Sequence, residues 1–327
     1  MIHLLFTGGT ISMERDPAAG GNVPALGGER LVQLAPGLQR FAPFDVEDWA
    51  RLPACHLGPD DIWALRERVR EIQQGVGTTY TTRPSGIVVT HGTDVLEESA
   101  YLLARTLDPT VPVALTGAMR TSSEEGWDGS RNIVDAAAVA SDPRSAGRGV
   151  MVVFAGKVFA GHQAVKVHTV NTDAFSAPHG EPVGRVEQGR VEYDGPARVP
   201  ACIPAAGLSA RVALIPAVIG DDGRMLDLAR PHHDGCVLVG FGSGNSPPGL
   251  VAAVARWLDD GKPVVLASRC PAGEVTPVYA FDGGGARLVA MGVIPAGART
   301  PSQARMELVI ALSAGVAYGM RAEPAAA

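Results

Sequence analysis

Short apolar runs, each closed by glycine or a polar turn, alternate along this chain with longer amphipathic stretches. Residues 2–6, 86–90, 111–116 and 150–154 are almost continuously hydrophobic, and each is long enough for one strand. Strands that are apolar on both faces belong to a parallel sheet covered by helices on each side. Between them, residues 60–72, 94–106 and 132–140 place apolar side chains at three- and four-residue spacing, which predicts helices with one buried face. The grammar is that of βαβ units and predicts an α/β fold with a doubly wound, mostly parallel sheet. It restarts further along, with 211–215, 235–240 and 263–268 as strands and 248–258 and 301–312 as helices. These predict a second, smaller α/β domain. Residues 194–207 carry Pro196, Pro200 and Pro204 and read as the linker, because proline removes backbone donors. The expected domains are therefore 1–205 and 206–327, with only the Ala-rich tail after Glu323 disordered.

Composition narrows the class of partner. A chain of 327 residues, 46% hydrophobic and 19% charged, can bury one large core or two moderate ones. A formal net charge of -6 without a Lys/Arg cluster argues against a nucleic-acid footprint and points to a small-molecule partner. No apolar run is long enough to cross a bilayer, and residues 1–12 lack the pattern of a signal peptide, so no membrane and a cytoplasmic location are expected. Cys55, Cys202, Cys236 and Cys270 lie far apart, with no zinc-like spacing, and are expected to be reduced and mostly buried. Adjacent His232 and His233 point in different directions, so neither a metal nor a cofactor is expected. The run from Gly240 to Asn245 fails the dinucleotide fingerprint because Asn245 stands at its third glycine position.

Two threonines carry the candidate chemistry. Thr10 follows the first strand in Thr7-Gly8-Gly9-Thr10-Ile11, and Thr93 follows the second in Thr90-His91-Gly92-Thr93-Asp94. Ligands of open α/β sheets bind beyond the carboxyl ends of the strands, so the two hydroxyls are expected to converge. A threonine becomes a nucleophile only when a neighbour takes its proton, and Asp94 and Glu97 follow Thr93 closely. Gly8 and Gly9 would let backbone N–H groups form an oxyanion hole. Blander readings exist for both turns. Thr10 fits a helix cap after a tight strand exit, and Asp94 with Glu97 fits a capping box. Coincidence favours chemistry: a third glycine turn runs through Thr116, Gly117 and Arg120, and Asp128-Gly129 precedes another helix.

These motifs resemble those of the bacterial-type asparaginase and glutaminase amidohydrolases. The similarity continues through residues 112–120, Asp128, Asn132, Lys166, residues 173–175, Gly242-Ser243-Gly244-Asn245 and Ser268 to Gly273, which is nearly the whole chain. The resemblance implies a larger N-terminal and a smaller C-terminal α/β domain, a homodimer or homotetramer, and hydrolysis of the L-asparagine side-chain amide. It implies Thr10 as the nucleophile of an acyl-enzyme, Thr93 opposite it positioning water or serving as a second nucleophile, and Asp94 binding the substrate α-amino group. Gly9 and Gly92 would line the substrate, and Asn245 would lie near the site of a neighbouring subunit.

Some positions depart from the family pattern. The catalytic lysine is expected before the Pro-Val pair of the third strand, where this chain has Val111. No tyrosine stands between Met13 and Arg30, and the acidic residue expected beyond the segment from Ser268 to Gly273 is absent. The segment that would hold the substrate carboxylate reads Pro53-Ala54-Cys55-His56-Leu57, leaving Cys55 or His56 for that part. The base would then be another group, among His56, Glu97, Lys166 and Tyr80. Two alternative readings follow: from the missing base, a hydrolase of a more reactive cyclic amide or lactone; from the loss of base and loop tyrosine together, an amino-acid-binding or sensing protein that has lost the chemistry.

Overall fold

In a computed structural model, residues 1–79 and 83–319 are described, and they divide into two compact units, Met1–Cys202 and Ile203–Ala327. Tyr80 and the tail after Glu323 lie outside the described residues.

In chain order the first unit contains β1 (Ile2–Gly8), a hairpin of β2 (Met13–Asp16) and β3 (Gly21–Pro24), α1 (Gly28–Leu34), β4 (Phe44–Leu52), α2 (Pro59–Gln73), β5 (Gly86–Thr90), α3 (Leu96–Thr106), β6 (Val113–Thr116), α4 (Gly129–Ser141), β7 (Val150–Phe154) and β8 (Lys157–Ala160). A two-stranded ribbon of β9 (Val165–Lys166) and β10 (Phe175–Ser176) follows, then β11 (Gly184–Glu187) and β12 (Arg190–Tyr193). Eight strands form one sheet in the order β12-β11-β8-β7-β6-β5-β1-β4. It is parallel from β4 to β7 and antiparallel from there to β12. The continuous apolar runs of the sequence are its central strands: β1, β5, β6 and β7 are buried along their whole length. Alternate side chains explain the layering. Ile2, Leu4, Val88, Ala114 and Met151 form one cluster with Leu31 of α1 and Ile133 and Ala137 of α4. Helices α2 and α3 contribute nothing to that cluster and pack on β5 and β7 from the other face.

β1 has β4 on one side and β5 on the other, and the chain leaves these two central strands in opposite directions. A crevice therefore opens between the carboxyl ends of β1 and β5, where α/β sheets bind ligands.

The second unit is a parallel sheet of β13 (Val212–Pro216), β14 (Gly235–Gly240), β15 (Val264–Ser268) and β16 (Ile294–Pro295). Its helices are α5 (Arg224–Ala229), α6 (Val251–Asp259), α7 (Gly285–Ala290) and α8 (Pro301–Ala314). Cys236 and Leu238 of β14 face a core with Trp257 of α6, whereas Val237 between them faces Leu308 of α8, so this sheet too is covered twice.

The cysteines need correction. All four are free, but only Cys236 is buried; Cys55, on a 3-10 turn, and Cys202 and Cys270, on loops, are exposed residues.

Candidate active site

Two glycines bring the threonine turns together. Gly9 follows β1 at φ 82°, and a Cβ there would stand 2.4 Å from the Gly92 Cα. No side chain fits between them, so the backbones that present Thr10 and Thr93 are in direct contact. Gly117 packs equally tightly beneath: a Cβ there would meet the His91 carbonyl at 2.4 Å. That third turn is fixed by Asp128, which accepts from the Met119 and Arg120 N–H groups, and by Asn132, which donates to the Gly117 carbonyl at 2.9 Å. The segment carrying Cys55 and His56 lies beside Gly92 through Ala54, with both candidate side chains exposed.

Buried His91 ties the Gly92 turn to α3. Its Nδ1–H donates to the Gly92 carbonyl at 2.8 Å, so Nε2 accepts from the Ser99 hydroxyl at 3.1 Å. Burial holds its pKa below the usual histidine value, despite the opposing pull of the Gly92 bond.

The polar contacts of this site centre on Lys166. From β9 its Nζ donates to the Thr93 hydroxyl at 2.9 Å and to Asp94 Oδ1 at 3.1 Å. Thr93 is buried, the Lys166 side chain is 18% exposed, and Asp94 is 64% exposed, so the amine sits under a carboxylate that faces outward. The amine thus lies on a threonine hydroxyl and is itself held by a carboxylate, an arrangement suited to moving a proton. The blander reading of Asp94 does not hold. The N-cap of α3 is Val95, with no side-chain cap bond, and the carboxylate goes to Lys166 instead. Thr10 likewise caps nothing: it opens a short 3-10 turn whose N-cap is Gly9, and it is half-buried.

Two expectations are corrected by position. Val111 precedes β6 at the amino-terminal edge of the sheet, roughly 16 Å of strand from the catalytic end at ~3.3 Å per residue, so a lysine there could not serve Thr93. The amine arrives instead from the β9–β10 ribbon, outside the main sheet. Gly9 is not an oxyanion donor as drawn, because its N–H is given to the Leu52 carbonyl at 3.2 Å. Of the other candidate bases, Glu97 accepts from the backbone N–H of Lys166, and His56 is exposed on its 3-10 turn. The loop expected to carry a tyrosine is the polar β2–β3 hairpin, held to the third turn by the Arg15 N–H on the Ser123 hydroxyl at 3.1 Å. Asn245 belongs to the second unit, where its Oδ1 accepts from the Gly285 N–H at 3.3 Å. Among the described residues no three His, Cys, Asp or Glu side chains are grouped to hold a metal.

Threonines beyond the carboxyl ends of β1 and β5, one of them bonded to an amine that a carboxylate holds in turn, form a candidate hydrolytic site in an α/β domain. Comparison narrows the class. Residues 1–198 match the family described as "Asparaginase, N-terminal", and residues 211–318 match "Glutaminase/Asparaginase C-terminal domain". A probable L-asparaginase of Deinococcus radiodurans is 38% identical over 323 residues, covering 96% of this chain and 93% of that one. L-asparaginase 2 of Escherichia coli is 30% identical over 95% of this chain and 88% of its own. The crystal structure of a probable cytoplasmic L-asparaginase from Campylobacter jejuni superposes with a TM-score of 0.82 at 27% identity, over 95% of this chain and 94% of that chain. The protein belongs to the asparaginase family of amidohydrolases.

Proposed function

We propose that the protein hydrolyses the side-chain amide of L-asparagine to aspartate and ammonia through a threonine acyl-enzyme. The observation that carries this reading is the Lys166 Nζ at 2.9 Å from the Thr93 hydroxyl, beside the Gly9–Gly92 contact that brings Thr10 to the same place. In the first step the Thr10 oxygen adds to the amide carbon, its proton goes to the departing nitrogen, and the carbon–nitrogen bond breaks to release ammonia. In the second step a water, held by Thr93 and deprotonated through Lys166, adds to the ester and frees Thr10. Asp94 keeps Oδ1 on Lys166 and offers Oδ2 to the substrate ammonium. Cys55 or His56, beside Gly92, takes the α-carboxylate. General-base help of this kind is worth about 100- to 10,000-fold. The Lys166 amine on Thr93 supports amide hydrolysis over the cyclic-amide reading, which starts from a missing base, and over the binding-protein reading, which starts from a missing base and a missing loop tyrosine together.

The test is trapping by mass. Thr93→Ala and Lys166→Met should accumulate one aspartyl group per chain when mixed with asparagine, because they can acylate but deacylate slowly; Thr10→Ala should accumulate none. Label on Thr93 rather than Thr10 would overturn the order of roles. We further propose a cytoplasmic homodimer or homotetramer, for which light scattering should return two or four chain masses.

A further inference from the structure

We infer that Glu97 is the positioning residue of Lys166, acting through it rather than on substrate. This rests on the reading of Lys166 as base and deepens it. The ribbon that carries Lys166 is only two residues long on each strand, and its register opposes Lys166 to Phe175. The ladder bond next to that pair runs from the Val167 N–H to the Ala174 carbonyl at 2.8 Å, which makes Lys166 and Phe175 a pair that exchanges no backbone hydrogen bonds. The Lys166 N–H therefore points out of the ribbon. Its acceptor is Glu97 Oε2 at 2.8 Å, in the first turn of α3. The residues just before that turn, Thr93 and Asp94, hold the other end of the same lysine.

One helix start thus grips Lys166 at both ends, its backbone through Glu97 and its amine through Thr93 and Asp94. A lysine stem has four flexible carbons, and fixing the backbone from the element that also presents Thr93 removes the freedom that would let the amine drift. The competing account is purely structural: an acidic side chain in the first turn of a helix stabilises it through the helix dipole, wherever its oxygens point.

Conservative variants separate the two. Glu97→Gln keeps an acceptor oxygen at the same reach, whereas Glu97→Asp keeps the charge at the helix start and withdraws the oxygen by one methylene. Steady-state ammonia release with asparagine should show kcat of Glu97→Asp down on the order of 10- to 100-fold, with KM within about twofold and melting temperature near that of the unaltered protein, while Glu97→Gln recovers most of the rate. In a Lys166→Met background, Glu97→Asp should add almost nothing. Full activity in Glu97→Asp, equal losses in kcat and KM, or losses that add in the double variant would each overturn the inference. If Lys166→Met alone leaves kcat unchanged, the base assignment itself fails, and the inference with it; a Lys166→Met defect with an indifferent Glu97 sinks the positioning role alone.

Discussion

At the scale of single residues, what matters is which groups the fold allows to meet. Lys166 and Thr93 are 73 positions apart, and nothing in their local sequence links them. From sequence Lys166 is one of four candidate bases, and its contact with the Thr93 hydroxyl is what singles it out among the described ones. Asp94 is the converse case. Its spacing to Glu97 fits a capping box, but the helix starts at Leu96 and the two carboxylates serve the two ends of Lys166. A direct check follows from the location of Val111. Val111→Lys should give no gain in asparagine hydrolysis, measured as ammonia release, because the new amine enters at the far edge of the sheet. An increase would show that the strand's amino end reaches the site.

The elements explain why the threonines stand where they do. β1 and β5 are neighbours whose connections depart in opposite directions, so their two turns face the same crevice. The approach is closer than any side chain permits, which is why glycine occupies both positions. Gly9→Ala would place a Cβ 2.4 Å from the Gly92 Cα and impose a φ of 82° on an alanine. We expect it to cost more than about 2 kcal/mol of stability and to part the two threonine turns. Denaturant unfolding and turnover measured together would check this, and a stable, fully active variant would refute it. The elements themselves were legible in proportion to their burial. The central strands announce themselves as apolar runs, whereas β4, β2, β3, β11 and β12 do not. β4 mixes Asp45, Glu47, Asp48 and Arg51 among its apolar residues because it is the edge strand, with one side open. The β2–β3 hairpin is mostly polar, with Met13 and Val23 its only large apolar strand residues, and buries no strand residue fully.

For the whole molecule, stability across pH depends on a charge network that joins β1, β4 and α2. Arg68 makes two hydrogen bonds to Glu47, at 2.8 and 2.9 Å, and His3 adds a third contact at 3.1 Å. Burial by itself would raise the Glu47 carboxyl, but hydrogen bonds from His3 and Arg68 outweigh it and hold the pKa down at about 2. An acid with a depressed folded pKa stabilises the fold above its unfolded pKa, near 4.5, and loses that contribution as pH falls from there through about 2. Melting temperatures measured from pH 6 to 2 should therefore fall along a limb that flattens in Glu47→Gln between about 4.5 and 2. An unchanged limb would show that the network is not what acid attacks.

The sequence by itself determined the α/β class, the two blocks of βαβ grammar and the two threonine motifs. All of these follow from local periodicity and from glycine turns that only a few backbones can use. Tertiary structure decided which residues share a site. The pairing of Lys166 with Thr93 and Asp94, the contact of Gly9 with Gly92, and the diversion of the Gly9 N–H to Leu52 depend on strand order and on a ribbon outside the sheet. Strand order is a long-range property, set by how apolar faces are covered, and a hydrogen bond across 73 residues leaves no periodic trace in the chain that makes it.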